Sequence, residues 1–127
     1  MFTKESVLEI HNLVLNEHGG AKGIRDSNGL ESAIGRPFQT FDAIGLYATC
    51  FEKAAAIGES IIINHPFIDG NKRTRYVLME YVLRINNYKI ISSDEGLYQF
   101  VIQISTGHLK FDEIVDWLKA NSAEINL

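Results

Sequence analysis

The sequence has little cysteine and no excess of positive charge, and each of these absences excludes a class of protein. Cys50 is the single cysteine among 127 residues, so the chain has no disulfide framework and no cysteine-based zinc site. It lies in an apolar helical pattern, which favours a buried, inert thiol. Lys and Arg number 12 against 16 Asp and Glu, a formal net charge of −4. Non-specific nucleic-acid binders need a basic excess, so we expect no direct nucleic-acid partner.

Long hydrophobic runs are also missing. The longest apolar stretch, around "AAAIGESIIINHPF", is interrupted by Glu59 and Ser60, so we expect no membrane span. The first ten residues, "MFTKESVLEI", contain acids and no long apolar region, unlike a secretory signal peptide. These two features together predict a cytoplasmic protein.

The length and the 46% apolar content suit one domain, 1–127, with a real core. Apolar residues recur at helical spacing over most of the chain, which predicts an all-α, single-domain bundle of about six helices. The predicted helices run from Thr3 to about Glu17, over "LESAIG" at 30–35, from about Leu46 to Ile63, from Lys72 to about Ile85, and around 97–104 and 114–118.

The stretch "RPFQTFDAIG" at 36–45 has no helical stripe. Its Phe38, Thr40 and Phe41 favour extended structure, so we expect a short flap or hairpin there. On the first helix, His11 lies on an apolar face, which is typical of a core histidine with its hydrogen bonds satisfied.

Between the third and fourth predicted helices lies "HPFIDGNKRTR", residues 65–75, which combines many chemical groups in a short space. Gly70, Asn71, Lys72 and Arg73 fall at or near a helix N-terminus, where free N–H groups and the helix dipole favour an anion. Gly70 has no Cβ, so a phosphate could approach the backbone closely. Asn71 could donate to a phosphate oxygen, Arg73 could bind one with two donors, and Lys72 adds a charge.

Asp69 brings a negative charge to the same place, and one carboxylate together with substrate phosphates is a common Mg²⁺ arrangement. Histidine is the usual side chain for proton transfer near neutral pH, so His65 could take the proton of a hydroxyl that attacks phosphorus. These parts indicate phosphoryl or nucleotidyl transfer. Simpler interpretations remain open: Asp69 and Gly70 could form an ordinary turn or a helix cap, and Arg73 and Arg75 could lie on the solvated surface.

These residues resemble the signature of the Fic family, His-Pro-Phe-x-(Asp/Glu)-Gly-Asn-(Gly/Lys)-Arg, which "HPFIDGNKR" matches at every defined position. The form "NKRT" is similar to the Doc, or death-on-curing, branch. The segments "GGAKGIRDSNGLESAIGRP" and "FEKAAAIGESIIINHPF" also resemble Doc-type sequences, so the resemblance covers most of the chain. It implies an α-helical fold, in agreement with the periodicity.

The resemblance implies a role for each motif residue. It makes His65 the catalytic base and Asp69 the ligand of Mg²⁺, with ATP as the cosubstrate. Gly70 and Asn71 correspond to the anion-binding loop, and Arg73 corresponds to the arginine that contacts the phosphates. Phe67 corresponds to a structural anchor of the loop. Segment 36–45 corresponds to the flap that docks a target as an added strand, through Pro37, Phe38, Gln39, Thr40 and Phe41.

Two departures from the common Fic pattern bear on the reaction. AMP-transferring members carry glycine where this chain has Lys72, and they often carry a second arginine where it has Tyr76. In Doc proteins the lysine is thought to exclude the AMP-transfer pose, so that ATP binds reversed with its γ-phosphate near the histidine. We therefore expect a protein kinase. An AMP-transferase and a catalytically idle Fic-like binding domain remain the alternatives.

The Doc resemblance also implies two partners. One is an antitoxin that covers the active site, and the other is a protein substrate, for which Doc implies a threonine of elongation factor Tu. Self-inhibited Fic proteins carry Ser/Thr-x-x-x-Glu-(Gly/Asn) in their own chain. Here "SSDEG" at 92–96 ends correctly, but the position four before Glu95 is Ile91. Inhibition is therefore expected in trans.

Overall fold

The computed structural model describes residues 3–125, and in this part of the chain the protein is mostly helical. Six helices surround one core, with two short antiparallel strand pairs at the periphery. The elements are α1 (Lys4–His18), α2 (Ser27–Gly35), β1 (Thr40–Phe41), β2 (Ile44–Gly45), α3 (Cys50–Asn64), α4 (Asn71–Arg84), β3 (Tyr88–Ile90), α5 (Asp94–Ser105), α6 (Phe111–Ala120) and β4 (Ser122–Glu124). The predicted six-helix, all-α class is confirmed.

Helices α1, α2 and α3 begin where a side chain satisfies a free backbone N–H group. Thr3 is the N-cap of α1, as the sequence predicts, and it forms a reciprocal capping box with Ser6. Asp26 accepts from the N–H of Gly29, so α2 begins at Ser27 and not at Leu30. Thr49 accepts from the N–H of Glu52, so α3 begins at Cys50 and the predicted start at Leu46 is wrong. In both corrections a capping residue fixes the boundary.

The predicted flap at 36–45 is only partly extended. Arg36–Phe38 forms a 3₁₀ turn with Pro37 buried, and the extended hairpin begins beyond it. β1 pairs with β2 in the register Thr40 to Gly45, and the turn between them has positive φ at two residues. A positive φ at both central residues is typical of a tight hairpin turn.

Helices α3 and α4 form the closest packing in the core. The sequence places small residues at 54, 55, 56 and 58 of α3, which predicts close helix contact, and all four are buried. A Cβ added at Gly58 would lie 2.5 Å from Sδ of Met79. Glycine at this point therefore lets the two helix backbones approach. The main core residues are Val7, Leu30, Ala33, Ala54, Ala55, Ile57, Ile61, Phe67, Leu78, Met79, Leu83, Phe100, Ile104, Ile114 and Leu118.

The apolar pattern of α4 predicts that Val77, Leu78, Tyr81, Val82 and Ile85 share the buried face, and the structure buries a different face. Leu78 and Val82 are buried as expected, but Val77, Tyr81 and Ile85 are exposed. Met79, Leu83, Thr74 and Arg75 take the buried positions instead. Helix α4 is apolar around much of its circumference, so its packing against α3 decides which apolar residues enter the core.

The structure bears on two further expectations, which concern membrane-spanning helices and the reactivity of Cys50. None of the helices in residues 3–125 is long and apolar enough to cross a membrane. Cys50 is half-buried, and burial raises the pKa of its thiol, which disfavours the reactive thiolate.

Candidate active site

The motif loop joins α3 to α4 through two residues in left-handed backbone conformations. His65 ends α3 with φ 44°, and its N–H donates to Ile61 O at 3.0 Å. Gly70 begins α4 with φ 79°. A non-glycine residue at positive φ is strained, so the surrounding contacts must hold His65 in place.

The segment between α1 and α2 supplies those contacts through its backbone. The N–H groups of Arg25 and Asp26 donate to Pro66 O at 2.7 and 3.1 Å. Ile68 N–H donates to Gly23 O at 3.1 Å, and Ile24 bridges to Phe67. The motif loop is therefore paired along its length with residues 23–26, as if by a short strand.

The side chain of Arg25 extends the same support to the end of α3. Its Nε donates to His65 O at 2.7 Å, and its Nη2 donates to Asn64 O at 2.7 Å. These are terminal helix carbonyls, where a cation is favoured by the helix dipole. Arg25 therefore fixes the backbone of the histidine that the sequence identifies as the candidate base.

Asn71 closes the loop from the other side. Its Oδ1 accepts from Phe67 N–H at 3.1 Å, and its Nδ2 donates to Phe67 O at 2.9 Å. This pair fixes the orientation of the amide, because the N–H needs the oxygen and the carbonyl needs the nitrogen. Nδ2 also lies 3.4 Å from Nε2 of His65. The amide of Asn71 thus organises the loop, and its contact with phosphate stays a prediction.

Phe67 is fully buried, in agreement with its predicted role as an anchor. Its ring stacks on His11 of α1 with centroids 3.8 Å apart and an interplanar angle of 10°. His11 is also buried, and its Nε2 lies 2.7 Å from Asp69 O. The expectation of a satisfied core histidine is confirmed, and the sequence did not reveal that its partner is the motif itself.

The polar motif residues converge on one side of the loop. His65, Asp69, Gly70, Asn71, Lys72 and Arg73 line one cavity of about 560 Å³, here called the motif cavity. Next to it lies a cavity of about 430 Å³, here called the apolar cavity, between α1, α4 and α5. Lys72, Arg73, Tyr98 and Val101 line both cavities, so the two form one continuous cleft. Volumes of this size suit a small-molecule ligand.

The metal prediction rests on Asp69. Within residues 3–125, no group of three or more His, Cys, Asp or Glu side chains could hold a metal without help from a ligand. Oδ2 of Asp69 accepts from Ala21 N–H at 3.0 Å, and this orients the carboxylate. A single oriented carboxylate that lines a cavity beside cationic side chains fits Mg²⁺ held jointly by protein and substrate phosphates.

Arg75 and Tyr76 follow the motif but do not extend the cationic cleft. Arg75 is only 2% exposed, and its Nη2 donates to Val101 O at 3.2 Å and to Ser105 Oγ at 3.1 Å. Burial lowers the pKa of Arg75 to about 10. Burial and the Glu80 carboxylate raise the pKa of Tyr76. The simpler interpretation of Arg75 as solvated surface is wrong, and Arg75 does not replace the second arginine of AMP-transferring proteins.

The flap is fixed at its base by Arg36. The guanidinium donates through Nε to Tyr47 Oη at 2.9 Å and through Nη1 to Ser60 Oγ at 3.1 Å. Nη2 lies 2.9 Å from Oε1 of Glu59. Of the predicted docking residues, Pro37 is buried and Phe38 packs against the core, so the exposed part begins at Gln39.

Sequence reasoning missed three supporting groups: Arg25, His11 and the N–H of Ala21. All three contact the motif across 40 or more residues of chain. Local spacing carries no signal for such contacts. The only available indication was the resemblance of segment 19–37 to Doc-type sequences, which contains Arg25 and Ala21.

Comparison with known proteins shows which family the chain belongs to. The model of the Fic/DOC family matches residues 1–83. The chain is 36% identical over 72 residues to "Toxin Doc" of Mycolicibacterium smegmatis, a match that covers 57% of this chain and only 55% of that protein. It is 28% identical over 115 residues to "Protein kinase doc" of Escherichia phage P1, which covers 91% of this chain and 90% of that one. The chain therefore belongs to the Fic/Doc family.

Proposed function

We propose that this protein is a Doc-type toxin that transfers the γ-phosphate of ATP to a hydroxyl group of a target protein. The observation that carries the proposal is the arrangement of the cleft. His65 lines the motif cavity and not the apolar cavity, while Lys72 and Arg73 line both. A nucleotide with its base in the apolar cavity and its phosphates along Lys72 and Arg73 would bring its terminal phosphate to His65.

The reaction needs a base, and the contacts of His65 suit that role. The Asn71 amide can only donate through Nδ2, so Nε2 of His65 is the acceptor and carries no proton in this contact. That contact is long and occupies the single lone pair of Nε2, so the target hydroxyl would replace Asn71 as its donor. Nε2 would then take the proton of the hydroxyl as the hydroxyl oxygen bonds to the γ-phosphorus. The bond from that phosphorus to the bridging oxygen breaks, and ADP leaves. His65 then releases the proton to solvent.

Charge neutralisation comes from the start of α4. Lys72 and Arg73 are exposed in the cleft, and none of the salt bridges within the described residues involves them. Both are therefore available to the phosphates, beside the free N–H groups of the helix N-terminus. Asp69 would hold Mg²⁺, which supplies charge stabilisation at the phosphate oxygens.

Lys72 distinguishes the proposed kinase from an AMP-transferase. Its side chain occupies the position where AMP-transferring relatives have glycine, and thereby fills space at the helix N-terminus. The proposal gains support from the name "Protein kinase doc" of a relative that aligns over 91% of this chain. AMP transfer remains the second candidate, because His65, Asp69, Gly70 and Arg73 serve both reactions.

Transfer from labelled ATP tests the proposal. Purified protein is incubated with Mg²⁺, bacterial lysate and ATP labelled at the α or the γ phosphate. We expect protein labelling from γ only, and none with His65→Ala. His108→Ala is the matched control, because His108 does not line either cavity and should leave transfer unchanged. Labelling from α would establish AMP transfer, and no labelling from either would favour the idle binding domain.

Two variants of Lys72 separate its bulk from its charge. Lys72→Met keeps most of the volume, whereas Lys72→Gly opens the space. If bulk excludes the AMP-transfer pose, only Lys72→Gly should gain label from the α phosphate. Equal α-labelling of both variants would assign the effect to charge, and unchanged γ-labelling in Lys72→Gly would remove the steric argument.

The proposed function also includes a target protein. The Doc resemblance favours elongation factor Tu, modified on a threonine, which would arrest translation in the cytoplasm. Purified elongation factor Tu in place of lysate should then accept γ-label. The exposed hairpin of β1 and β2 is the proposed docking segment, since Phe41 and Ile44 are each 71% exposed.

An antitoxin is the second proposed partner. The apolar cavity continues along α1 into a smaller one of about 370 Å³, with which it shares Val14, Glu17 and Val77. Leu13 in this groove is 65% exposed. An antitoxin helix laid there would cover the entrance of the cleft. We expect Leu13→Asp to weaken inhibition by the antitoxin, whereas Ile91→Asp, outside all these cavities, should not.

A further inference from the structure

His11 is a buried polar side chain that the proposed reaction does not use. It is 3% exposed, its ring stacks on Phe67, and its Nε2 lies 2.7 Å from the carbonyl oxygen of Asp69. A carbonyl oxygen accepts hydrogen bonds and cannot donate them, so Nε2 must carry the proton. His11 is therefore a donor directed at the centre of the motif loop.

The hydrogen bond from His11 orients the whole Asp69–Gly70 peptide unit and not only the Asp69 carbonyl. Asp69 C=O and Gly70 N–H belong to the same peptide unit, and the described chain has no cis peptide bonds. In a planar trans peptide the N–H points opposite to the C=O. Since the carbonyl points inward to His11, the N–H of Gly70 points away from α1.

That N–H has no protein partner among the hydrogen bonds of the described residues. Gly70 lines the motif cavity, and its N–H precedes those of Asn71, Lys72 and Arg73 at the open end of α4. It is thus the first of four consecutive N–H groups available to an anion. A hydrogen bond to the carbonyl also polarises the peptide and strengthens its N–H as a donor.

The peptide has little freedom to turn. Gly70 has φ 79°, and a Cβ at this residue would lie 3.3 Å from Leu15 Cδ2 and 3.5 Å from His11 Nε2. The α1 side chains therefore pack directly against the Gly70 backbone. Removal of the His11 donor would leave the Asp69 carbonyl without its partner and the peptide plane without its main restraint.

We propose that His11 is a positioning residue for phosphate binding: it orients and polarises the Asp69–Gly70 peptide so that Gly70 N–H donates to a nucleotide phosphate. The inference rests on the proposed function in that the phosphate is taken to be that of ATP. It adds a residue outside the motif, on α1, to the groups that set nucleotide affinity.

Two variants separate the donor from the ring. His11→Gln keeps an N–H donor at about the reach of Nε2 but loses the stacked ring. His11→Phe keeps the ring against Phe67 and loses the donor. We expect His11→Phe to weaken the binding of ATP with Mg²⁺ by about five- to tenfold, the size of one hydrogen bond, and His11→Gln to restore most of that loss. Calorimetric titration measures the dissociation constants.

The ¹⁵N chemical shifts of His11 and Gly70 distinguish a positioning role from a purely structural one. In the wild-type protein, the ¹⁵N shift of His11 Nε2 should be that of a protonated ring nitrogen. The Gly70 amide should shift on addition of ATP with Mg²⁺, and its shift in the free protein should change in His11→Phe more than in His11→Gln. An unprotonated Nε2, or a Gly70 amide insensitive to ATP, would overturn the inference even if no variant folds.

This experiment separates the inference from the proposed function. Absence of phosphate transfer by the wild-type protein would refute the proposed function. The response of Gly70 to ATP and to His11 substitution tests the positioning role without any turnover. Equal affinities of wild type and His11→Phe for ATP would refute the positioning role while phosphate transfer persisted.

Discussion

Nδ2 of Asn71 lies 3.4 Å from Nε2 of His65 while the same amide is bonded to both backbone groups of Phe67. One side chain at the start of α4 therefore sets the shape of the loop and the position of the candidate base. The bond to Phe67 O fixes which end of the amide faces His65. Asn71 presents a donor to the imidazole for that reason.

Asn71→Asp should damage both the loop and the reaction. The substitution replaces the donor with a carboxylate oxygen that faces Phe67 O and His65 Nε2. We expect a loss of about 1–3 kcal/mol in the free energy of unfolding, because a buried carbonyl loses its partner. Phosphate transfer should fall more than the loss of folded protein explains. Urea denaturation and the γ-label assay measure the two effects.

Asn12→Asp is the control for that substitution, because Asn12 lies exposed on α1 and makes none of the hydrogen bonds described for the motif. It should change stability by less than about 0.5 kcal/mol. A wild-type unfolding midpoint for Asn71→Asp would show that the Phe67 bonds do not hold the loop.

The contact between α3 and α4 at Gly58 gives a second prediction. In Gly58→Ala the new Cβ would lie 2.5 Å from Met79 Sδ and 3.1 Å from its Cγ and Cε. Met79 is buried and cannot move into solvent. We expect a loss of about 1–3 kcal/mol in the free energy of unfolding, typical of overpacking.

Gly35→Ala is the matched control, because nothing lies within 4 Å of a Cβ at this residue. Alanine favours helix over glycine, so this variant should be neutral or more stable by up to about 1 kcal/mol. The double variant Gly58→Ala with Met79→Ala should lose less stability than the sum of the two single variants, since the clash is absent once Met79 is truncated. Equal stability of Gly58→Ala and Gly35→Ala would contradict the close packing.

Substitution of Arg75, unlike that of Asn71 or Gly58, is not expected to lower the free energy of unfolding. Its guanidinium is buried, no carboxylate pairs with it within residues 3–125, and burial lowers its pKa to about 10, so the charge is disfavoured in the folded protein. Without Arg75, the two groups that accept its hydrogen bonds still have a partner, because Ser105 Oγ donates to Val101 O at 2.8 Å. Arg75→Met should therefore be neutral or more stable by about 1 kcal/mol.

The control for this variant is Arg84→Met on the exposed face of the same helix. Arg84 pairs with Glu80, and loss of such a surface pair should cost less than about 1 kcal/mol. Thermal unfolding of both variants at pH 7 measures the difference. A loss of 3 kcal/mol or more in Arg75→Met, the size of breaking a buried ion pair, would mean that the guanidinium holds α4 and α5 together.

The sequence predicted those parts of the fold that local chemistry determines. The N-cap at Thr3 and the helical periodicity needed only neighbouring residues. The exposed motif groups were also found locally, because a base, an acid and several anion-binding groups fall within nine residues. Family resemblance gave them roles that spacing alone left open.

The features that the sequence did not predict correctly depend on contacts between distant segments. The burial of Arg75 and the exposure of Val77 follow from how α4 packs against α3 and α5, and periodicity could not decide between the faces. The pairing of residues 23–26 with the motif loop and the contact of His11 with Asp69 join segments 40 or more residues apart. The support of the site is therefore tertiary even where its reactive groups are local.

The base of the flap gives the last prediction. Arg36 joins the 3₁₀ turn to α3 through Ser60 and Glu59 and to the far side of the hairpin through Tyr47. Lys53 adds a bond of 2.6 Å from Nζ to Tyr47 O. If the hairpin docks the target, its orientation over the motif cavity depends on this anchor.

Arg36→Met should loosen the hairpin without changing the nucleotide cleft. Hydrogen bonds to charged groups contribute about 1.5–3 kcal/mol, so amide exchange at Leu46, which donates to Gln39 O, should quicken at least about tenfold. The KM for the protein target should rise while the KM for ATP stays unchanged. Exchange followed by mass spectrometry over 39–46, with Arg84→Met as the control, measures the first effect. A wild-type KM for the target despite faster exchange would mean that the hairpin takes no part in docking.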